Sequence, residues 1–180
     1  MTDPELRKEL DALIGTEMTG RAVAPDRVNE AMIRHWADAL GDENPVYTDP
    51  EMAAKSRFGG IVAPPVMLQT WTMARPKIEG IVERGGIPME MKRKPRLTEI
   101  FDERGFVGTV ATNSEFEIER YVKPGELITS QSVLEDVSDE KQTSKGPGHF
   151  MTQLTTYYDE DGNVVGRQRF RMFRFKPQVG

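Results

Sequence analysis

The stretch FGGIVAPPVMLQTWTMA, residues 58–74, decides how the chain folds. Its second part, VMLQTWTMA (66–74), is apolar on nearly every side of a helix, and such a helix is buried on most of its faces. Its first part holds Gly59, Gly60, Pro64 and Pro65, a turn-rich loop feeding the helix N-terminus. That helix end carries partial positive charge and free N–H groups, so it can stabilise an anion. The cover for the helix must come from residues 106–176. SEFEIERY (114–121) alternates strictly, with Phe116, Ile118 and Arg120 on one face and Glu115, Glu117 and Glu119 on the other. Lys123-Pro124-Gly125-Glu126 reads as a turn. LITSQSVLEDV (127–137) and GHFMTQLTTYY (148–158) are β-rich, and Asp161-Gly162-Asn163 is a hairpin signal before VVGRQRFRMFRF (164–175). A buried helix followed by at least four strands in hairpin order predicts an α+β domain, an antiparallel sheet wrapped around a long buried helix. Such a unit leaves a sheet edge uncovered, which predicts a dimer or a higher even-numbered assembly.

Upstream, PELRKELDALIG (4–15) has a helix start at Pro4 and a stop at Gly15, with an extended stretch near 17–24. Asp26 reads as an N-cap for a helix over 27–40. Val28, Met32, Trp36 and Leu40 fall four apart with Ile33 and Ala37 beside them, one apolar face. Gly41 suits a left-handed cap. DENPVYTDPE (42–51) is turn-rich, and residues 51–57 add a helical turn. Residues 75–105, broken by Pro76, Gly80, Gly85, Gly86, Pro88 and Pro95, predict a lid or mobile loop, with a short helix at 97–105. Nothing divides the chain, so residues 1–180 read as one domain.

The 180 residues carry 37% hydrophobic and 29% charged side chains and a net charge of −5. That balance suits a globular fold and disfavours nucleic acid as a partner. No apolar run is long enough for a membrane helix, and the first residues lack a signal-peptide pattern. A cytoplasmic protein is expected. With no cysteine and only His35 and His149, thiolate chemistry and mechanisms that need several imidazoles are excluded. No metal site is expected.

Chemistry-bearing residues are densest in GDENPVYTDP (41–50) and in the 58–68 loop. The order Gly41-Asp42-x-Asn44-Pro45 with Asp49, then FGGIVAPP (58–65), then the KPGE turn resembles the MaoC-like hotdog dehydratases, relatives of the (R)-specific enoyl-CoA hydratases. MIRHWADALGDENPVYTD (32–49), IVAPPVMLQTWTM (61–73), IFDERGFVGTVATN (100–113), YVKPGE (121–126) and FRFKP (173–177) extend the likeness over about residues 25–176. They are most similar to the subfamily with an extended N-terminal helix, the MaoC-like part of the larger subunit of steroid side-chain enoyl-CoA hydratases. Those subunits continue into a separate C-terminal domain, expected to be missing from this chain.

The resemblance implies a hotdog fold and a D-x-N-P-x-H motif, in which Asp and His polarise a water that adds to a 2-enoyl thioester. A backbone N–H at the start of the central helix holds the enolate oxygen. Asp42, Asn44 and Pro45 match. The His position is Tyr47, a phenol with an ordinary pKa near 10 and a poor base at neutral pH. The helix start is Ala63-Pro64-Pro65, and proline has no N–H, so Val66 is the next donor. The resemblance therefore implies a non-catalytic half. Such a half shapes the acyl tunnel for a bulky, steroid-type CoA thioester, while a small hotdog partner supplies the catalytic Asp and His. No cofactor is implied beyond coenzyme A as part of the substrate. A homodimeric acyl-CoA binding or scaffold protein is the second reading. A hotdog thioesterase ranks last, because it needs an acidic residue on the central helix and 66–74 has none.

Each residue also has a plainer reading. Asp42 and Asn44 suit turn chemistry, leaving Asp42 vestigial as a catalyst. Tyr47 suits packing or tunnel lining. Met67, Trp71 and Met73 suit the core as well as a tunnel, and Val66 with Asn44 completes the candidate substrate-binding set. Lys92, Arg93, Lys94 and Arg96 suit a solvated loop or CoA-phosphate contacts. Arg167, Arg169 and Arg171 share a strand face that is either solvated or contacts adenosine phosphates, and Phe173 and Phe175 joining that face suggest a bulge in the strand or a change of cover. His35 reads as a surface or interface residue and His149 as structural or exposed.

Overall fold

The computed structural model describes residues 3–83 and 96–177. Helix α1 (Pro4–Asp11) starts where the Asp3 carboxylate accepts the Glu5 N–H at 2.9 Å, and Pro4 sits where no N–H is needed. The Asp26 cap predicted for the next helix does not form. Val28 N–H donates to the Glu126 carbonyl and Gly125 N–H to the Val28 carbonyl, which ties this stretch to the KPGE turn. The Asp26 carboxylate instead meets Arg75 at 2.9 Å. Asn29 is the cap, accepting the Met32 N–H at 2.9 Å, and α2 spans Glu30–Leu40. Its buried line is Ile33 and Ala37, with Met32 and Trp36 half-buried. Leu40 is exposed rather than on the apolar face, because it is the last helical residue before the left-handed Gly41. The turn-rich stretch becomes two short helices, α3 (Pro45–Thr48) and α4 (Pro50–Lys55), capped by Asn44 and Asp49. An Asx residue before proline starts a helix as readily as it makes a turn.

A 3₁₀ turn, Pro65–Met67, runs into α5 (Leu68–Trp71). This central helix is seven residues rather than a long one over 66–74, and it is not buried all round. Met67, Leu68 and Trp71 face the core, while Val66 and Met73 are exposed. A helix lying on a sheet buries one side, a direction that apolar content alone does not specify. Helix α6 (Arg96–Glu103) ends the region expected to be a lid, and Leu97, Ile100 and Phe101 anchor it in the core.

The sheet is antiparallel, ordered β1 (Glu17–Val23), β3 (Thr129–Val137), β5 (Gly146–Tyr158), β6 (Val164–Phe175) and β2 (Gly108–Ile118), with short β4 (Lys141–Thr143) paired to β5. β1 and β2 are its edges. The β5–β6 register runs unbroken from Gly148↔Phe175 to Tyr157↔Gly166. The irregularity expected in β6 falls at Val165, between Tyr157↔Gly166 and Tyr158↔Val164, rather than near Phe173, and β2 has one of its own between Ala111↔Met172 and Asn113↔Arg171. One face packs two cores. The first gathers Ile33, Tyr47, Val62, Ala63, Met67, Leu68 and Trp71 around the central helix. The second sets α1 and α6 on Leu134, Val137 and Met151. The helix touches the sheet at Gly166, where a methyl group would stand 2.7 Å from Leu68 Cδ1. Gln168, on the same face and 3% exposed, accepts the Tyr157 hydroxyl at 2.8 Å. Its amide donates to Gln69 Oε1 and Ser114 Oγ, linking α5, β5, β6 and β2.

Candidate functional site

The site begins where α2 ends. Gly41, at φ 64°, turns the chain, and Asp42 N–H donates to the Ala37 carbonyl at 2.9 Å. The Asp42 carboxylate is half-buried and accepts the Asn44 N–H at 3.1 Å, while Asn44 Oδ1 accepts the Val46 N–H. Both residues therefore build the turn. α3 carries Tyr47 inward, to 7% exposure. Burial raises its phenol pKa above the usual value near 10, and the nearby Tyr121 and Asp42 raise it further against an opposing Asn44 hydrogen bond. Asp42, Asn44, Tyr47 and Tyr121 thus converge.

The 58–63 loop is tied to the residues beside both tyrosines. Val62 N–H donates to the Val46 carbonyl at 3.3 Å and Ala63 N–H to the Val122 carbonyl at 2.9 Å. Lys123 Nζ donates to the Phe58 carbonyl at 2.7 Å, and the Phe58 and Tyr121 rings sit 4.7 Å apart. Sequence reasoning assigned no role to Tyr121 or Phe58. The YVKPGE and FGG motifs held them, but their meeting depends on pairing across more than sixty residues.

The Ala63 amide is spent on Val122, and Pro64 and Pro65 offer none. Met67 N–H donates to the Pro64 carbonyl and Leu68 N–H to that of Pro65. Val66 is the first amide of the helix without an intrahelical acceptor, and that residue is 44% exposed. A neutral phenol with a raised pKa donates and accepts hydrogen bonds but does not take a proton from water at neutral pH. Tyr47 can therefore orient a polar group but does not serve as the base.

The other predicted residues are elsewhere. Met67 and Trp71 belong to the core, and Trp71 also lines a cavity of about 190 Å³ with Met32 and Met73. Its indole N–H is buried without a partner among the described residues. Arg169 is paired with Glu135 at 2.9 Å and Arg171 lies 4.6 Å over the Phe150 ring, both on the outer sheet face, which the alternation of β6 turns away from Gln168. Arg169 and Arg171, two of the cations predicted to meet CoA phosphates, are thus already engaged on that face. Arg93, with Lys92 and Lys94, lies outside the described residues. Arg96 opens α6 and meets Glu9, Glu99 and Glu103. His35 is exposed. His149 is fully buried in the second core between Phe101 and Phe106, with Nδ1 2.9 Å from the Ser138 carbonyl. Among the described residues no cluster of His, Asp and Glu could hold a metal ion, and no helix is long and apolar enough to cross a membrane.

The antiparallel sheet, its central helix and the Asp42–Asn44–Pro45 motif define a MaoC-like hotdog domain. The chain belongs to the FAS1-like, dehydratase domain region family, whose model matches residues 12–168. It is 40% identical over 180 residues to a probable enoyl-CoA hydratase alpha subunit of Thermomonospora curvata, covering 99% of this chain and 54% of that protein. It is 38% identical over 157 residues to the 3-oxo-4,17-pregnadiene-20-carboxyl-CoA hydratase alpha subunit of Mycobacterium tuberculosis, covering 86% and 47%. The chain spans about half the length of these curated relatives. A chain of the ChsH1-ChsH2 complex from Mycobacterium tuberculosis superposes with a TM-score of 0.81 at 32% identity, over 98% of this chain and 94% of that one.

Proposed function

We propose that this chain is the non-catalytic hotdog half of a heteromeric enoyl-CoA hydratase. It shapes the acyl-binding tunnel for a bulky, steroid-type CoA thioester while a small hotdog subunit supplies the catalytic Asp and His. The observation that carries this reading is the buried, neutral Tyr47 where the reaction needs a base. The helix start supports it, because Ala63 has given its amide to Val122 and two prolines follow. Coenzyme A enters only as part of the substrate. The names of the relatives supply the substrate class, and the uncovered β2 edge, eleven residues long, supplies a place for the partner's sheet to continue.

The experiment is hydration of a bulky 2-enoyl-CoA by the chain alone and with a co-expressed hotdog subunit bearing an intact Asp and His. The chain alone is expected to give no turnover above background and the pair to give full activity. Asp42→Ala in the pair should leave kcat within about twofold. Turnover by the chain alone that Asp42→Ala abolishes would overturn the proposal. A stable homodimer that binds acyl-CoA and gains nothing from any partner would favour the scaffold reading.

A further inference from the structure

An open groove of about 740 Å³ is lined by Arg57, Phe58, Arg120, Tyr121, Lys123 and Glu126 together with Ile118 and Glu119. Its charges are unevenly matched. The Glu126 carboxylate is held by both nitrogens of the Arg120 guanidinium and by the Lys123 N–H, and Glu119 is held by Arg167 at 2.7 Å. Arg120 also meets Asp159. Both acids of the groove are therefore already neutralised. Arg57 has no carboxylate partner among the described residues, and its guanidinium lies 4.8 Å above the Phe58 ring. The Lys123 ammonium spends one donor on the Phe58 carbonyl and meets no acid among the described residues. Two cations thus remain uncompensated beside an aromatic pair tilted by 39°. Gly59 and Gly60 follow Phe58 in the chain, and a Cβ at either would meet nothing within 4 Å.

Uncompensated cations call for an anion, and the arginine plane and aromatic faces call for a flat, unsaturated ring. A simple anion would leave the aromatic pair unused, and an apolar ligand would leave two charges unmatched. The volume suits a drug-sized molecule. We propose that this groove is a binding site for a phosphorylated nucleoside, with the base stacked on the Arg57–Phe58–Tyr121 aromatic layer and the phosphates held by Arg57 and Lys123. Within the hydratase reading, on which this assignment of the source rests, the nucleoside is the adenosine end of the CoA thioester. It replaces the Arg169 and Arg171 contacts expected from the sequence.

The test is calorimetric titration of the chain with coenzyme A, with adenosine 3′,5′-bisphosphate and with pantetheine. Coenzyme A and the bisphosphate should bind and pantetheine should not. Arg57→Glu and Lys123→Glu should each weaken binding at least about 10-fold, as expected for charge-assisted hydrogen bonds to phosphate. Arg169→Ala should change nothing. Both reversals sit on exposed side chains, and an unchanged thermal midpoint verifies that they fold. Absence of nucleotide binding, or binding indifferent to both reversals, overturns the proposal. Binding of the free bisphosphate but not of coenzyme A upholds the groove and removes the thioester as its source. Binding of both by an assembly that never hydrates an enoyl-CoA upholds the groove and sinks the hydratase reading.

Discussion

Replacing Gln168 by leucine removes the joint between the sheet and the central helix. Gln168 Oε1 is the only acceptor of the Tyr157 hydroxyl among the described residues, and Tyr157 is 2% exposed. That burial has raised its phenol pKa far above the ordinary value, so the group is a neutral hydroxyl with no water to turn to. Stranding a buried donor costs about 1–3 kcal/mol. The two donors to Gln69 and Ser114 are lost more cheaply, because both partners are exposed and can rehydrate. Leucine is close in volume, which limits any cavity contribution. The expected loss for Gln168→Leu is therefore about 2 kcal/mol, or roughly a 4–8 °C drop in Tm for a domain of this size. Urea unfolding measures it directly through the midpoint at constant m-value. Tyr157→Phe alone removes the same hydrogen bond but leaves Gln168 partly satisfied, at about 1 kcal/mol. The double variant no longer has a stranded hydroxyl, so it should be about 1 kcal/mol more stable than the sum of the singles implies. Additive losses, or a loss below about 0.5 kcal/mol for Gln168→Leu, would refute the claim that the Tyr157–Gln168 pair is closed off from water.

His149 gives a pH dependence. Burial lowers its pKa, Arg7 acts the same way, and the Ser138 carbonyl, Glu140 and Asp139 oppose the shift without cancelling it. The folded state therefore binds this proton less readily than the unfolded chain. Its contribution to stability is complete above the unfolded pKa near 6.5 and is lost as pH falls below that, by at most about 1.4 kcal/mol per pH unit. Urea titrations between pH 7 and 5 should show that slope, and it should flatten in His149→Leu. At Gly166 a methyl group would also crowd the Glu117 carbonyl, at 2.9 Å, so Gly166→Ala should cost about 1–3 kcal/mol by denaturant unfolding. Asn29→Ala should cost about 1 kcal/mol in the same assay, whereas Asp26→Ala should cost less than half of that, since Asp26 does not cap the helix.

Alternation in SEFEIERY, the KPGE and Asp-Gly-Asn turns and the helix-ending Gly41 are local facts. Each is set by the φ/ψ preferences and side-chain period of a few neighbouring residues; the turns and Gly41 formed where expected, while the strand of SEFEIERY runs from Gly108 to Ile118 and leaves Arg120 beyond its end. Tyr47 in place of a histidine and the two prolines at the helix start are equally local, so both were legible before any fold. The mistaken elements share a cause. Asp26 and Asn29 are both good caps, and the choice between them fell to the pairing of Val28 with Glu126, a contact across nearly a hundred residues. Leu40 obeys the helical period yet points outward, because period defines a line of residues and packing decides where along it the core stops.

By itself the sequence determined the α+β class, the order of the strands along the chain and the tyrosine that stands at position 47 beside Asp42, since these follow from spacing and side-chain type. Tertiary structure alone decided that α5 rests on Gly166 and that Arg169 spends its charge on Glu135. It also decided that Phe58 and Tyr121 close over one another beside two unmatched cations. Those outcomes depend on which distant groups reach the same few ångströms first, and hydrogen bonds and ion pairs, once satisfied, leave only the remainder available to a ligand.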